Sequence, residues 1–315
     1  MTNQELKNEI LRLKKEKNAV ILGHYYQRDE IQELSDYVGD SLALAQKAQG
    51  VEADIIVFCG VHFMAETAKI LNPRCKVLLP DMEAGCSLAD SCKADDFERF
   101  IEQHPGHTVI SYVNCSAAVK ALSDIICTSG NAEQIVRSLP ADEPIVFAPD
   151  RNLGSYINAV TGRQMVLWNG VCEVHDAMEA EAVMRLKSQY PDAPVVAHPE
   201  CNAALLKVAD FVGSTKAMLN YVSSSPQHRI IVATENGILH QMRQLCPDKE
   251  FLTLGDGRHC ACDECAHMKL NTLEKLYRCL RDEQPELTMS ADLIEAAKRP
   301  IVRMLDMSRE LGIIK

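Results

Sequence analysis

The chain has 315 residues and a mass of 35.0 kDa, 47% hydrophobic and 24% charged; this excludes global disorder and leaves room for two or three domains with cores of their own. Thirty-three Lys and Arg against 44 Asp and Glu give a net charge of −11, so no overall basic field draws the chain to nucleic acid or anionic lipid. The start, Met-Thr-Asn-Gln-Glu-Leu-Lys, lacks a secretory layout, and no run reaches the ~18 apolar residues of a membrane helix. The expectation is a cytoplasmic protein with neither a nucleic-acid nor a membrane partner.

Thr2 and Glu5 have the spacing of a capping box, and Leu6, Ile10 and Leu13 recur at helical spacing up to Lys17, with Asn18 closing the helix. A short β-rich run follows, Ala19 to Gly23, ending in His24, Tyr25 and Tyr26. The same pairing of helix and strand returns twice. Asp95 to Gln103 precedes Val109–Asn114, and Met178 to Ser188 precedes Val195–Glu200. Asp36, Asp124 and Asp210, 88 and 86 residues apart, each follow the first strand and are trailed by Ser or Thr. Third strands are expected at Asp54–Cys59, Pro144–Ala148 and Arg229–Ala233. Fourth strands at Lys76–Leu79, Gln164–Leu167 and Glu250–Leu254 each run into a loop holding cysteine. A period near 87 residues marks an internal repeat.

Short β-branched strands alternating with helices read as parallel α/β units covered on both faces. The fold expected is α/β: three homologous three-layer α/β/α domains with parallel sheets, spanning 1–87, 88–174 and 175–266, with C-terminal helices over 267–315 packing back on them. Open parallel sheets bind ligands at the carboxyl ends of their strands. A pseudo-threefold arrangement with those ends inward brings the polar strand ends and the cysteine loops to one central active site.

Thirteen cysteines is an odd number in a chain large enough to fold without disulfides. Cys86 and Cys172 each stand alone in their loop, which does not suit the paired ligands of a zinc ribbon. One thiolate from each of three domains suits an iron-sulfur cluster lacking a fourth protein ligand, and an iron so exposed is a Lewis acid fit for dehydration. The rival reading is local: Cys260, Cys262 and Cys265 form a zinc or thiol redox switch, with His259 or His267 nearby and no catalysis implied. Cys59, Cys75, Cys92, Cys115, Cys127, Cys201, Cys246 and Cys279 sit in apolar or helical surroundings and are expected in the core.

Taken together, Gly23-His-Tyr-Tyr-Gln27, Ser35-Asp-Tyr-Val-Gly-Asp-Ser41, Tyr112-Val-Asn114, His198-Pro-Glu-Cys201, Gly213-Ser-Thr215 and Met268-Lys-Leu-Asn271 resemble the quinolinate synthase family over nearly the whole chain. The resemblance implies three α/β domains around a [4Fe-4S] cluster held by one cysteine per domain. It also implies condensation of iminoaspartate with dihydroxyacetone phosphate, with loss of phosphate and two waters, to make quinolinate for NAD biosynthesis. A supplier of iminoaspartate, L-aspartate oxidase, is implied as a functional link. The alternative within enzymes is another [4Fe-4S] hydro-lyase acting on a small carboxylic acid.

Carried over by motif, Cys86 and Cys172 are the first two cluster ligands. The family's last ligand stands three residues before a Met-x-x-Asn element, which selects Cys265 ahead of Met268 and Asn271. Counting from the fourth strands instead selects Cys260, and Ala266 stands where many family members have proline. The motif is preferred here, because loop lengths vary freely. The catalytic residues implied are Glu200, Tyr26 and Tyr112, with Glu200 as general base. Substrate contacts are expected from His24, Ser41, Tyr112, Val113, Asn114, Ser129, His198, Pro199, Glu200, Ser214 and Thr215. Ser41, Ser129, Ser214 and Thr215 stand where a strand turns into a helix. Backbone N–H groups at such termini bind anions, although plain capping is the commoner use of such residues.

Overall fold

The computed structural model describes residues 1–255 and 263–315. The capping box forms as expected: Thr2 Oγ1 accepts from the Glu5 amide at 3.2 Å while a Glu5 carboxylate oxygen accepts from the Thr2 amide at 2.7 Å, opening the helix Asn3–Glu16. That helix stops because Asn18 turns to a φ of 46°, a left-handed conformation that asparagine tolerates better than most residues.

Among the described residues the strands form three separate four-stranded sheets, all parallel. The first holds β1 (Ala19–His24), β2 (Tyr37–Gly39), β3 (Ile55–Cys59) and β4 (Lys76–Leu78). The second holds β5 (Thr108–Tyr112), β6 (Ile125–Cys127), β7 (Ile145–Ala148) and β8 (Val166–Leu167). The third holds β9 (Val195–Ala197), β10 (Phe211–Val212), β11 (Arg229–Ala233) and β12 (Glu250–Thr253). The strand order is the same in each sheet: second, first, third, fourth. Several strands are shorter than their apolar runs suggest. The first strand of the third sheet stops at Ala197, because Pro199 has no amide to offer a ladder.

The register makes the three sheets superimposable position by position. Gly23, Ser111 and Ala197 on the first strands face Cys59, Ala148 and Ala233 on the third strands, and Val38, Ile126 and Val212 on the second. Asp36, Asp124 and Asp210 then fall on one equivalent position, and each does the same work. The three carboxylates accept from the amides of Ile21, Val109 and Val195, each at 2.8 Å, while their own amides donate to the carbonyls of those residues, each at 2.9 Å. The recurring aspartate is thus a side-chain extension of the ladder, tying the start of the second strand to the first.

The C-terminal helices pack back on the repeats. Leu273, Leu276 and Leu280 of the helix Leu273–Asp282 share a core cluster with Leu6, Ile10 and Leu13 of the first helix. Ile301, Met304 and Leu305 of the helix Ala291–Glu310 join the large cluster that contains Ala117 and Ile126. Of the cysteines assigned to the core, Cys246 is only half-buried, at the end of the helix Ile238–Leu245; the other seven are buried.

Glu283, left-handed at a φ of 51°, ends the helix Leu273–Asp282 and places its carboxylate 2.7 Å from both Lys17 and Lys76. Hydrogen bonds from these two lysines hold its pKa down to about 2. An acid depressed on folding stabilises above its unfolded pKa, near ~4.3, and the gain disappears as pH falls through the folded value. Glu283→Gln is therefore expected to lower stability at neutral pH by less than about 1 kcal/mol, as for a half-exposed pair. The difference should close between pH 4 and pH 2, which urea titrations of both proteins would measure.

Candidate active site

The order second, first, third, fourth reverses direction between the first and third strands, and the crevice beyond their carboxyl ends is where a doubly wound sheet takes its ligand. All three crevices open on one cavity of about 660 Å³, counted out to its solvent mouth. The residues just past the aligned first-strand positions are His24, Tyr112 and His198; two further on are Tyr26, Asn114 and Glu200. All six line the cavity. A threefold frame thus supplies two rings of three positions, and different side chains make each ring asymmetric.

A third ring comes from the second strands. Past Val38, Ile126 and Val212, equivalent positions hold Asp40, Thr128 and Ser214, then Ser41, Ser129 and Thr215. Asp40 caps the helix Ser41–Gln49 through the Ala43 amide, and Ser214 caps Thr215–Ser224 through the Ala217 amide. Capping therefore falls to the preceding residue, and Ser41 and Thr215 face the cavity at the first helical turn. In the second repeat Asn131 takes the Thr128 amide at 2.6 Å, and Ser129 Oγ lies 3.2 Å from His198 Nε2.

A hydrogen-bonded chain joins the three repeats. Glu200 is buried: its Oε1 accepts from the Tyr112 hydroxyl at 2.5 Å, and its Oε2 lies 2.9 Å from His175 Nδ1. His175 Nε2 is 2.9 Å from Thr234 Oγ1, which is 2.8 Å from the Tyr26 hydroxyl. With Nδ1–H donated to Glu200, His175 Nε2 accepts from Thr234, and Thr234 in turn accepts from Tyr26. One direction of donation runs from Tyr26 to Glu200.

The electrostatics follow from burial and partners. Burial alone would raise Glu200, but the facing imidazoles of His175 and His198, with the bonds from His175 and Tyr112, outweigh it and hold the carboxylate below its usual range. Burial pushes Tyr26 and Tyr112 well above the ordinary phenol value, and the Glu200 charge pushes the same way. His24 and His198 are lowered to about 3, chiefly by burial, so both are neutral at pH 7. Each Nδ1 accepts a backbone amide two residues on, Tyr26 at 3.1 Å and Glu200 at 3.4 Å, which leaves the proton on Nε2. The buried Asn114 Oδ1, which lines the cavity with His24, has no partner among the described residues. An unmet buried acceptor in a cavity calls for a polar ligand.

Cys86, Cys172 and Cys265 also line this cavity, one from the loop after each fourth strand. Burial pushes the Cys86 thiol up to about 12, and raises Cys172 well above the ordinary thiol value and Cys265 above it; charge on Cys265 adds to the rise at Cys86, and charge on Cys86 to that at Cys172. Three half-buried cysteines whose thiols together resist ionisation are suited to binding a cationic centre that displaces their protons. Cys172 Sγ, a His175 nitrogen and a Glu200 oxygen also lie within 4.8 Å of one another. The chain therefore has a donor set compatible with a metal cluster. Cys260 and Cys262, the other candidates for the third ligand, lie outside the described residues.

The cavity brings together His24, Tyr26, Ser41, Tyr112, Asn114, Ser129, His198, Glu200 and Thr215 with the three cysteines. Val113, Pro199 and Ser214 are buried but are not among its lining residues; Val113 and Ser41 flank a smaller void beside it. The sequence reading passed over His175, Thr234 and Glu235. His175 had a signal, a Cys-x-x-His spacing from Cys172, matched by Met268 three residues after Cys265, and both line the cavity.

With this geometry in place, comparison with known proteins decides the family. The family described as "Quinolinate synthetase A protein" matches residues 8–306 of this chain. The chain belongs to the quinolinate synthase family. A quinolinate synthase of Microcystis aeruginosa is 57% identical over 304 residues, covering 96% of this chain and 95% of that protein. Those of Synechocystis sp. and Chloroherpeton thalassium are 57% and 54% identical, covering 97% and 98% of this chain and 96% of each relative. No helix among the described residues is long and apolar enough to cross a membrane. Quinolinate synthase membership accounts for an interior site shared by three sheets, because the match runs through every one of them.

Proposed function

We propose that this chain is a quinolinate synthase that condenses iminoaspartate with dihydroxyacetone phosphate, releasing phosphate and two waters, in NAD biosynthesis. The observation that carries the reading is the meeting of Glu200, Tyr26, Tyr112 and three thiols in a single cavity fed by all three repeats. Cys86, Cys172 and Cys265 would hold a [4Fe-4S] cluster. When bound, such a cluster supplies an iron without a protein ligand, a Lewis acid toward hydroxyl and carboxylate oxygens.

The chain's own residues do the rest. The substrates carry two carboxylates and a phosphate. Neutral donors, His24 Nε2–H, the Ser41, Ser129 and Thr215 hydroxyls and the Asn114 amide, bind these anions without a basic field. The helix starts at Ser41 and Thr215 add backbone dipoles of favourable sign. Glu200, held ionised between Tyr112 and His175, takes a proton from carbon or nitrogen during tautomerisation. His175 and Thr234 keep its charge and that of Tyr26 linked through one chain of hydrogen bonds. Buried walls exclude water, which protects an imine from hydrolysis.

The reading extends to a cytoplasmic location, a functional link to L-aspartate oxidase as source of the labile imine, and repeats bounded near 87, 174 and 266. Anaerobic protein reconstituted with iron and sulfide, given iminoaspartate and dihydroxyacetone phosphate, should form quinolinate detectable by mass spectrometry. Loaded protein that forms none from these two substrates would defeat the assignment in favour of another hydro-lyase.

A further inference from the structure

The third strands carry a device that the chemistry above does not use. Aligned through Cys59, Ala148 and Ala233, the second residue past each third strand is Val61, Asp150 and Glu235. Asp150 and Glu235 are both fully buried acids. Carboxylates so placed are costly unless something is gained by keeping them.

Glu235 Oε1 accepts the backbone amide of Cys265 at 3.1 Å, and Oε2 accepts that of Gly237 at 2.7 Å. Lys269 Nζ, 2.8 Å from Glu235, also donates to the Tyr26 carbonyl at 2.7 Å. One buried ion pair thus joins the third cysteine loop to the first repeat. A side chain on Gly237 would meet the Tyr26 backbone at 2.6 Å, so the approach is tight.

Asp150 Oδ1 accepts the Leu153 amide at 2.7 Å and caps the helix Arg151–Thr161, while the second cysteine loop is held by backbone, the Arg151 amide donating to the Gly170 carbonyl at 2.8 Å. The buried Asp150 Oδ2 has no hydrogen-bond partner among the described residues. In the first repeat the equivalent residue is Val61, and the loop is likewise pinned by backbone: the His62 amide donates to the Ala84 carbonyl at 2.7 Å, two residues before Cys86.

We propose that Glu235 is a positioning residue, fixing the backbone of the third cysteine loop so that Cys265 presents its thiol to the cavity. The proposal rests on the cysteine assignment made above, but its first test needs neither cluster nor activity. In metal-free protein, hydrogen exchange followed by mass spectrometry reads the loop amides directly. Losing a charge-assisted hydrogen bond should accelerate exchange at Cys265 about tenfold in Glu235→Leu, whereas Glu235→Gln, which retains an acceptor, should stay within about threefold of the parent. Asp150→Leu, which removes the repeat-equivalent acid that accepts no cysteine-loop amide, should leave exchange at Cys265 unchanged. After anaerobic reconstitution, Glu235→Leu should lose iron to a chelator about tenfold faster than Glu235→Gln. Native-like exchange at Cys265 in Glu235→Leu overturns the proposal, and so does acceleration spread evenly over all three repeats. Failure of the synthase assay with normal loop exchange would instead count against the function alone.

Discussion

Serine at Cys86 or at Cys172 is expected to abolish iron and sulfide retention after anaerobic reconstitution, and with it all detectable quinolinate formation. The change exchanges one sulfur for a slightly smaller oxygen, and both residues lie in loops past the strand ends rather than in a sheet. Thermal unfolding of the metal-free variant should therefore match that of the metal-free parent. Two thiolates do not hold a cluster that needs one from each repeat. The result separates two readings sharply. A local switch at Cys260, Cys262 and Cys265 lies far along the chain from Cys86 and Cys172, and would bind its metal regardless of either substitution. Iron and sulfide retained at parental levels in both variants would end the three-cysteine reading.

Glu200→Gln is expected to lower kcat by roughly 10² to 10⁴, the range typical of losing a positioned general base, with iron content unchanged. Glutamine keeps the volume and can still accept from Tyr112, but it cannot take a proton. Its amide also replaces an anion that now lies 2.9 Å from His175 and 3.9 Å from His198. Steady-state kinetics should show the loss in kcat rather than in KM, because His24, Ser41, Ser129 and Thr215 remain to bind substrate. A variant with parental kcat would remove Glu200 from the chemistry.

Much of this arrangement was legible in the sequence because the chain repeats. Asp36, Asp124 and Asp210 stand out as letters, and the structure gives the reason: each makes the same pair of bonds to the first strand. The polar residues after the first strands were readable for the same reason, since apolar runs in parallel strands end where the ligand side begins. His175, Thr234 and Glu235 were not. Each sits past a third or fourth strand, and its partner lies in another repeat or another loop: Tyr26 for Thr234, Glu200 for His175, Cys265 for Glu235. Spacing along a chain reports contacts between near neighbours, whereas these join residues 25 or more apart, and that of Thr234 with Tyr26 exists only once two repeats have docked. Aligning the repeats residue by residue would have exposed Asp150 and Glu235 as a matched acidic pair. Of the strand-to-helix residues expected to bind anions, Ser214 serves as a cap, and Asp40 rather than Ser41 caps the helix Ser41–Gln49.

The inward-facing helix starts at Ser41 and Thr215 give the molecule two fields of opposite sign. At long range an anion meets a protein carrying −11 and is turned away. Within the cavity it meets dipoles worth about half a positive charge per helix terminus, in surroundings where water screens little. Ionic strength acts on these two fields unequally, because salt reaches the outer surface and not the buried floor. Moderate salt should thus hasten the arrival of anionic substrates while leaving their grip nearly intact, the reverse of what a basic surface patch would show.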